Sequence, residues 1–449
     1  MDVLSAKQQR LAQLPCIAHH PADLETLFDA SSFRARLHQA ISEAQHRIYI
    51  VALYLQDDEA GRAILDSLYQ AKQKNPALDI KVFVDWHRAQ RGLIGAAASD
   101  GNAALYRQYA EKYEHAIEIY GVPVKNREVF GVLHLKGFIV DDQVIYSGAS
   151  LNDVYLAQHE RYRYDRYHIL RNQSLADSMA QYVLDNMLES DAVNCLAQPC
   201  RPSTKSLKPA IRQLRGRLQH ASYQFEPQRV GDEHISLTPV VGLGKRRNRL
   251  NFLIQTLLAS AQHEITICTP YFNLPKSLSK EVRNAMRRGV KVTIIVGDKT
   301  ANDFYIPPSE PFRTIGGLPY LYEVNLRKFA KRHQQEINDG RLNLHLWRHD
   351  DNSFHLKGIW IDQRYMLITG SNLNPRAWKL DLENAILIQD PQGHLREQKQ
   401  RELDCILTHT TRLNSYLEVE DLEQYPMPVK RLLKRLRRVK VDAILSQIL

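Results

Sequence analysis

Two copies of one short pattern place an imidazole beside an ammonium group. His134 and Lys136 form the first copy, and His355 and Lys357 form the second, with a leucine inside each pair. Each pair lies in a β-rich apolar run, and side chains two positions apart in a strand point to the same face. A single pair of this kind is more often structural, but its repetition favours a shared function. Two such pairs facing each other would cleave a phosphodiester.

The chemistry follows from the charge of the substrate. A phosphodiester is an anion, so a catalyst must surround the phosphoryl oxygens with fixed positive charge. The lysines of the two pairs, together with Asn152 and Asn374, are predicted to supply this cradle. One neutral histidine would attack phosphorus, while the protonated other histidine gives its proton to the leaving oxygen. An imidazole pKa of about 6.5 suits both tasks, and the scheme requires no metal or other cofactor.

Acidic residues are predicted in two supporting roles. A histidine nucleophile needs an acceptor on its far ring nitrogen, and Asp165 and Glu383 each precede a predicted strand by two residues. Glu160 and Asp381 are the alternatives for this role.

The acids that end the two histidine runs have a different expected role. Residues 132–140 (VLHLKGFIV) are predicted to form a strand with one face in the core and the other carrying the chemistry. Asp141 and Asp362 have the opposite parity to the histidines, so they are predicted to anchor the strand ends rather than contact substrate.

The similarity between the two copies extends beyond the paired residues. A unit of strand, helix, strand, insertion and histidine strand occurs twice, which predicts an α/β fold. The matching segments are 47–55 with 264–272, 81–85 with 291–296, and the glycine turns 147–152 with 369–374.

These residues resemble the phospholipase D superfamily, whose signature HxKxxxxD, followed by a glycine turn with asparagine, occurs twice around one active site. The resemblance covers most of the chain and implies two tandem α/β/α sandwich domains related by a pseudo-twofold axis. The chain departs from the signature in its turns. Ala149 stands where serine is usual and Asn152 comes one place late, while the second turn starts one residue later after Asp362 and carries both Asn372 and Asn374.

Longer stretches are similar to phosphatidyltransferases of this superfamily. They cover residues 84–99, 146–156, 297–307 and 369–378. This resemblance implies attack on the phosphatidyl phosphorus of CDP-diacylglycerol, departure of CMP and transfer to the hydroxyl of L-serine. It also implies that His134 is more often the nucleophile, with His355 as acid and base, although the residues alone do not rank the two histidines.

Candidate substrate contacts follow two strands of the predicted units. Arg88 and Arg91 follow a strand of the first unit, and Asp298, Lys299 and Asn302 follow the matching strand of the second. Ligands of α/β folds usually lie at strand ends, so these side chains are predicted to frame the cytidine, the pyrophosphate or serine.

The repeat also predicts the domain organisation. A length of 449 residues alone would suggest about three domains. The repeat instead predicts a first domain over 20–195, a linker and connecting helix over 196–225, a second domain over 226–425 and a tail over 426–449.

Net charge points to an anionic partner. The chain carries a formal charge of +10, which suits a lipid surface or nucleic acid. The tail is predicted to be a basic amphipathic helix on anionic headgroups, or a helix whose leucines dock on the protein and leave the basic face solvated. Its cations are Lys430, Arg431, Lys434, Arg435, Arg437 and Arg438. The cluster 245–249 (KRRNR) is a weaker candidate for membrane contact.

Location and alternative functions follow from the same features. The longest apolar run, 48–55, is too short to span a bilayer, and no signal pattern begins the chain. We therefore expect a cytoplasmic protein bound peripherally to the inner face of the membrane. Alternatives are a phospholipase, a cardiolipin-type synthase or a nuclease of the same superfamily, or a non-enzymatic RNA-binding protein. Intact histidine pairs argue against the last, although the basic charge allows ribosome association.

Overall fold

The computed structural model describes residues 3–92 and 101–438, so part of the 84–99 stretch and the end of the tail lie outside the described residues. The elements up to the connecting helix are α1 (Val3–Ala12), β1 (Ile17–His19), β2 (Leu24–Leu27), α2 (Ala30–Glu43), β3 (Arg47–Val51), α3 (Glu59–Lys74), β4 (Asp79–Asp85), α4 (Trp86–Ala89), α5 (Asn102–Lys112), β5 (Glu118–Val122), β6 (Phe138–Val140), β7 (Gln143–Ser147), β8 (Arg163–Tyr164), β9 (Tyr167–Arg171), α6 (Gln173–Val183) and β10 (Asn194–Cys195).

The elements from the connecting helix onward are α7 (Lys208–His220), β11 (Ile235–Leu243), α8 (Arg249–Ser260), β12 (Glu264–Thr269), α9 (Lys276–Arg287), β13 (Lys291–Gly297), α10 (Leu318–Arg332), α11 (Gln334–Asn338), β14 (Leu342–Trp347), β15 (Ser353–Phe354), β16 (Gly358–Ile361), β17 (Tyr365–Thr369), α12 (Pro375–Lys379), β18 (Leu382–Gln389), α13 (Arg396–Leu407), β19 (Thr410–Leu413) and α14 (Met427–Arg438).

Two large sheets repeat one strand order. In the described part of the chain, eight strands form the first sheet, in the order β10-β5-β4-β3-β6-β7-β9-β2. Nine described strands form the second, in the order β1-β11-β18-β17-β16-β12-β13-β14-β19. The series β5-β4-β3-β6-β7-β9 thus corresponds to β14-β13-β12-β16-β17-β18, with parallel pairs in the first part and antiparallel pairs in the rest. The predicted α/β fold with two related units is confirmed.

Short polar side chains start many of the helices. A side-chain oxygen accepts a backbone N–H of the first turn at α2, α3, α6, α8 and α12, and such a cap stabilises a helix by about 1 kcal/mol. The capping residues are Asp29, Asp58, Asn172, Asn248 and Asn374. Asn374 is also a predicted site residue, so the same side chain caps a helix and is expected to contact phosphate.

The histidine run of the first half departs from its predicted structure. Regular strand covers only Phe138–Val140, and every residue from 131 to 140 is buried, so neither face is solvent-exposed. The physical reason is that the run pairs with the other half, where Leu133 forms a parallel bridge to Leu382. The regular strand predicted over 132–140 is therefore limited to its end, and the face that carries His134 and Lys136 is enclosed between the halves.

One of the hydrophobic clusters of the described residues spans both halves. A single cluster of buried side chains contains Ile50 of the first sheet together with Ile386 of the second. Arg166 of the first half donates to both carboxylate oxygens of Glu402 in the second, at 2.7 and 2.9 Å. Breaking such a buried pair costs about 3–5 kcal/mol. The halves are therefore held together as one body.

The N-terminal segment belongs to both sheets. β1 pairs with β11 of the second sheet, and β2, a few residues later, pairs with β9 of the first. The chain thus contacts the second half before it builds the first, a feature that no sequence pattern indicated. The connecting helix α7 lies between the two series of strands in the sequence.

The tail helix α14 docks on the protein. Val429 and Leu433 are buried against Tyr320 and Val324 of α10. Of the two interpretations drawn from the sequence, the structure favours the docked helix, and its apolar face is not available to lipid. Arg431, Lys434, Arg435 and Arg438 are exposed, whereas Lys430 is half-buried beside Glu423. The Arg437 side chain and residues 439–449 lie outside the described residues.

Across the described ranges, no helix combines the length and the apolar character needed to cross a bilayer.

Candidate active site

Each histidine segment forms hydrogen bonds with the opposite half. The backbone N–H of His134 donates to Leu382 at 3.0 Å, and the N–H of Leu382 donates back to Val132 at 3.1 Å. In the second copy, β15 lies parallel to β8, and the N–H of His355 donates to the carbonyl of Tyr164 at 2.8 Å. The residue after each of these partners is one of the predicted acids.

The cross-pairing brings each imidazole onto an acid of the other half. Nδ1 of His134 lies 2.9 Å from both carboxylate oxygens of Glu383. Nδ1 of His355 lies 2.9 Å from Oδ2 of Asp165. The structure thus places both predicted acids at histidine rings. The sequence did not indicate that each acid serves the histidine of the other half, because this depends on how the halves face each other.

The alternative acids lie elsewhere. Asp381 is buried, accepts the backbone N–H of Val132 at 3.1 Å and pairs with Arg376 at 3.1 Å. It therefore fixes the segment that leads to the first histidine. Glu160 is exposed at the surface.

Both lysines are buried beside the glycine turn of the opposite half. Lys136 and Lys357 are each only 1% exposed. A Cβ atom on Gly148 would lie 2.8 Å from Nζ of Lys357, and one on Gly370 would lie 2.5 Å from Cγ of Lys136. Any larger residue would collide with these side chains, so glycine is required for the close approach.

The two lysines differ in their partners. Nζ of Lys357 lies 3.2 Å from Oδ2 of Asp165 and also contacts Nδ1 of His355. Nζ of Lys136 lies 3.5 Å from the carbonyl oxygen of Ala149. The second lysine therefore faces an acid directly, and the first faces a backbone dipole.

Both lysines contact the turn at Gly148 and Ala149, and the charged groups of the two pairs act on one another. Burial lowers the pKa of His134 well below its usual value, and the charges of Lys136, Lys357 and His355 lower it further. Burial and Lys357 lower the pKa of His355 to about 4, against the effect of Asp165. At neutral pH both rings are therefore uncharged, which leaves one ready to attack and the other ready to accept a proton.

The remaining charged groups respond differently to burial. Burial and the neighbouring Asp381 raise the pKa of Glu383 well above the usual carboxyl range. Burial also acts to raise the pKa of Asp165, but Lys357 and the bond from the histidine ring outweigh it, so the pKa is lowered. Burial and Lys357 lower the pKa of Lys136 to about 7. One half-site thus contains an ionised acid, and the other a carboxyl group that resists ionisation.

In each glycine turn, the side-chain oxygen of the asparagine accepts a backbone hydrogen bond. Oδ1 of Asn152 accepts the N–H of Tyr155 at 3.0 Å, and Oδ1 of Asn374 accepts the N–H of Ala377 at 2.9 Å. Each oxygen is thus fixed by the backbone. The amide nitrogen is then the group left to donate to a phosphate oxygen.

The acids predicted to anchor strand ends lie at strand ends. Asp141 and Asp362 both adopt a positive φ of 51° directly after β6 and β16. Each accepts three successive backbone N–H groups at the start of the neighbouring strand. The donors are Gln45, His46 and Arg47 in the first half, and Gln262, His263 and Glu264 in the second.

An aromatic and ionic cluster surrounds the second histidine, and the roles of its two tyrosines were not predicted from the sequence. The hydroxyl of Tyr155 lies 3.0 Å from Nδ1 and 3.1 Å from Nε2 of His355. The guanidinium of Arg163 lies 4.5 Å from the centre of the tyrosine ring and pairs with Asp303 at 2.8 Å. Tyr271 donates to the same aspartate at 2.8 Å. The alternation of arginine and tyrosine over residues 161–167 allowed Arg161 and Arg163 on the phosphate side, and Asp303 follows the strand that precedes the other predicted contacts of the second half.

The predicted substrate contacts of the first half separate into two kinds. Arg88 lies over the ring of Tyr54, with its guanidinium 4.8 Å from the ring centre, and burial together with Arg91 lowers its pKa. Arg91 instead donates to a carboxylate oxygen of Glu128 at 2.6 Å, so its charge is already compensated. Arg88 is the better candidate for an anionic substrate.

The predicted contacts of the second half have structural partners. Lys299 pairs with Glu323 at 3.1 Å and with Glu420 at 2.7 Å, close to the base of α14. Its charge is therefore compensated by two acids, and its contact with a substrate stays a prediction. Asp298 and Asn302 accept backbone N–H groups two residues further on, so both stabilise the turn after β13.

Known proteins match the chain along nearly its whole length. A family profile described as "Cardiolipin synthase, PLD-like domain" matches residues 37–183 and 254–405, one stretch in each half. The CDP-diacylglycerol–serine O-phosphatidyltransferase of Escherichia coli (strain K12) is 51% identical over 443 residues, covering 98% of each chain. The protein of the same name from Haemophilus influenzae is 47% identical over 446 residues, also 98% of each chain.

A solved structure agrees with these matches. The crystal structure of phosphatidylserine synthase from Haemophilus influenzae Rd KW20 has a TM-score of 0.97 and 45% identity, and 100% of both chains is covered. The resemblance inferred from the paired motifs is confirmed, and the chain belongs to the CDP-diacylglycerol–serine O-phosphatidyltransferase family within the phospholipase D superfamily.

Proposed function

We propose that this chain transfers the phosphatidyl group of CDP-diacylglycerol to the hydroxyl of L-serine, with release of CMP, as a step of phospholipid biosynthesis. The family to which the chain belongs supports the donor and the acceptor. The observation that carries the chemistry is the crossed arrangement, in which two histidines bonded to acids of the opposite half lie between two buried lysines.

His134 is the proposed nucleophile. In the described part of the chain, the hydrogen bonds of its ring are those of Nδ1 with Glu383. In the reactive form Nδ1–H donates to the carboxylate, and the lone pair of Nε2 is directed at phosphorus. The ring of His355 is instead contacted at both nitrogens by the hydroxyl of Tyr155. This difference supports the first histidine for covalent chemistry and the second for proton transfer.

The first step forms a phosphatidyl-histidine. Nε2 of His134 attacks the phosphatidyl phosphorus, and the bond from phosphorus to the bridging oxygen of CMP breaks, with its electron pair leaving on CMP. A phosphate leaving group has a second pKa of about 6, so its departure needs little help from an acid. The ammonium groups of Lys136 and Lys357 and the amide nitrogens of Asn152 and Asn374 balance the charge on the phosphoryl oxygens.

The second step transfers the group to serine. His355, which is neutral at neutral pH, takes the proton from the serine hydroxyl as the oxygen attacks phosphorus. The bond from phosphorus to nitrogen breaks and its electrons return to the ring of His134. Asp165 holds Nδ1–H of the imidazolium that forms. Phosphatidylserine leaves, His355 gives the proton to solvent, and the free enzyme is restored.

Contact with a membrane surface is part of the proposal. Val129 and Phe130 are 49% and 50% exposed in a turn that ends four residues before His134. Arg376 fixes this turn by donating to the carbonyl of Glu128 at 2.8 Å. We infer that these apolar side chains and the basic face of α14 bind the inner face of the membrane peripherally. Ribosome association has only the net charge of +10 in its favour.

Product analysis tests the reaction directly. The protein is incubated with CDP-diacylglycerol in mixed micelles that contain a chelator, with or without L-serine. We expect CMP release that serine accelerates, with phosphatidylserine as the lipid product. Phosphatidic acid as the main product in the presence of serine would instead indicate a phospholipase, and a requirement for added metal would contradict the histidine scheme.

Vesicle binding tests the membrane contact. Phe130→Ser should lower the affinity for anionic vesicles, measured by co-sedimentation, about tenfold, because it removes a large exposed apolar side chain. Leu417→Ser is the matched control, because Leu417 is 67% exposed but belongs to a different turn, Tyr416–Glu418. Replacing Arg431 and Arg435 together by alanine should weaken binding about 30-fold at low salt. Unchanged binding in these variants would reject the proposed contact face.

A further inference from the structure

One cavity in the described part of the chain is lined by neither histidine. It has a volume of about 770 Å³ and lies between α1, α8 and the strand β11, and no catalytic candidate lines it. Its walls are mainly apolar, with contributions from Leu11, Leu14, Val240, Leu253 and Trp378. A volume of this size suits a small molecule or an aliphatic chain.

The cavity is a consequence of how β1 ends. β1 pairs with Ile235, Ser236 and Leu237 of β11. The rest of β11 therefore has no strand partner on the β1 side among the described residues. The hydroxyl of Thr238 donates to the carbonyl of Pro15 at 2.9 Å, which fixes the position of the segment between α1 and β1 relative to the strand. The walls are therefore fixed by backbone topology.

The lining is positively charged and contains no acid. Arg10, Lys245, Arg247 and Arg249 contribute to it, whereas neither aspartate nor glutamate does. Within residues 3–92 and 101–438, none of these four cations forms an ion pair. Phe252, which is 49% exposed, also lines the cavity, with Arg10 stacked over its ring at 5.1 Å. Uncompensated cations beside an apolar cavity suit a ligand with an anionic head and an apolar tail.

The loop that carries Lys245 and Arg247 is held by its own contacts, and Arg249 begins the helix that follows it. Oδ1 of Asn248 accepts the N–H of Asn251 at 3.0 Å, and its Nδ2 donates to the carbonyl of Gly244 at 2.8 Å. Asn248 is only 7% exposed. Its bonds therefore hold the loop 244–248 against the start of α8, and the cations are presented from a fixed backbone.

We propose that this cavity binds one acyl chain of an anionic phospholipid from the membrane surface, with the lipid phosphate held by Arg247, Arg249, Lys245 and Arg10. This site goes beyond the proposed reaction, because none of its residues belongs to the catalytic centre. Nucleic acid fits less well, since its charge is spread over an extended backbone and the cavity is apolar. The cluster 245–249, which the reaction does not use, thereby gains a role.

Fluorescence of Trp378 offers a direct test. The probe is a short-chain phosphatidylglycerol with brominated acyl chains, used below its micelle concentration. Bromine quenches an indole only at close range, so we expect saturable quenching in the full-length protein and loss of that quenching in Trp378→Phe. Quenching that persists in this variant, or no quenching in the unmodified protein, would overturn the proposal.

Head-group variants and probes separate the competing explanations. Arg247→Ser combined with Arg249→Ser should weaken probe binding at least about tenfold. Arg246→Ser is the matched control and should change it less than about twofold, because Arg246 is exposed in the same loop but does not line the cavity. A phosphatidylcholine with the same chains should bind at least about tenfold more weakly. Equal binding of that lipid, or tighter binding of a brominated fatty acid, would contradict an anionic phospholipid as the ligand.

Discussion

The two half-sites share residue types but differ in electrostatics. Around His355, the acid is ionised, because Lys357 lies 3.2 Å from Asp165 and lowers its pKa. Around His134, the acid is Glu383, whose pKa is raised by burial and by a second buried acid nearby. Identical imidazoles thus have different partners, and the difference separates their roles.

A single tyrosine sharpens this contrast. Tyr155 places its hydroxyl within 3.1 Å of both ring nitrogens of His355, whereas in the described part of the chain no tyrosine hydroxyl bonds to His134. The second ring is held in a hydrogen-bonded network suited to proton transfer, and the first has a nitrogen left for phosphorus. Sequence symmetry therefore does not imply chemical equivalence.

Removing each histidine in turn is the strongest test of this contrast. His134→Ala should reduce CMP release by at least about 10⁴-fold, because no nucleophile remains. His355→Ala should still release about one equivalent of CMP per protein and then stall, with turnover reduced about 10²- to 10⁴-fold. Rapid-quench measurement of CMP, with mass spectrometry of the intact protein for a trapped phosphatidyl adduct, distinguishes the two.

One outcome would reverse the roles assigned to His134 and His355. An equivalent of CMP and a trapped adduct in His134→Ala, with neither in His355→Ala, would make the second histidine the nucleophile. Near-normal turnover in either variant would contradict a shared site altogether.

Replacing each acid by its amide should separate the two steps less completely. Glu383→Gln should slow CMP release about 10³-fold, since the carboxylate no longer balances the phosphorylated imidazolium. Asp165→Asn should leave that first step largely intact and slow transfer to serine by a similar factor. Glu160→Gln is the control at an exposed acid, and pre-steady-state CMP release is the measurement. Equal slowing of both steps by each variant would contradict the division of roles.

The pH dependence of CMP release should reveal that the two lysines differ in pKa. The pKa of Lys136 is lowered to about 7, so its cation is present below that pH and lost above it. The pKa of Lys357 is also lowered, but Asp165 acts to raise it. We expect kcat/KM to fall about tenfold per pH unit well above pH 7. The raised pKa of Glu383 should add an acid limb above the usual carboxyl range.

Single-turnover CMP release without serine is the measurement, because the amino group of serine then does not contribute. An alkaline limb absent up to pH 9 would show that the charge on Lys136 is retained or is not needed.

Much of the fold follows from local pattern. The alternation of apolar strands with helices over 47–85 and 264–296 predicted the repeated unit, and both stretches form the same order of strands. The positions of Asp141 and Asp362, out of phase with the histidines, predicted bonds at strand ends, where both residues now lie. These features depend on neighbours that are close in sequence or in the adjacent strand.

The features that were missed depend on contacts between the halves. The run 132–137 has the alternation of a half-exposed strand, yet its partner is a strand some 250 residues away, so it is buried on both faces. The partners of Lys299 are Glu323 and Glu420, which no spacing rule connects to it. The leucines of α14 gave an amphipathic pattern, but only packing against α10 decides which surface they cover.

Crossed pairing has a further consequence for how such a chain diverges. In a symmetric pair of identical subunits, any change to an acid would alter both imidazoles at once. Because both halves here belong to one polypeptide, Asp165 and Glu383 are encoded separately, and each can change while the other stays. A single polypeptide thus lets the two sides specialise, and the different acids of this centre are an inequality that a dimer of identical subunits could not maintain.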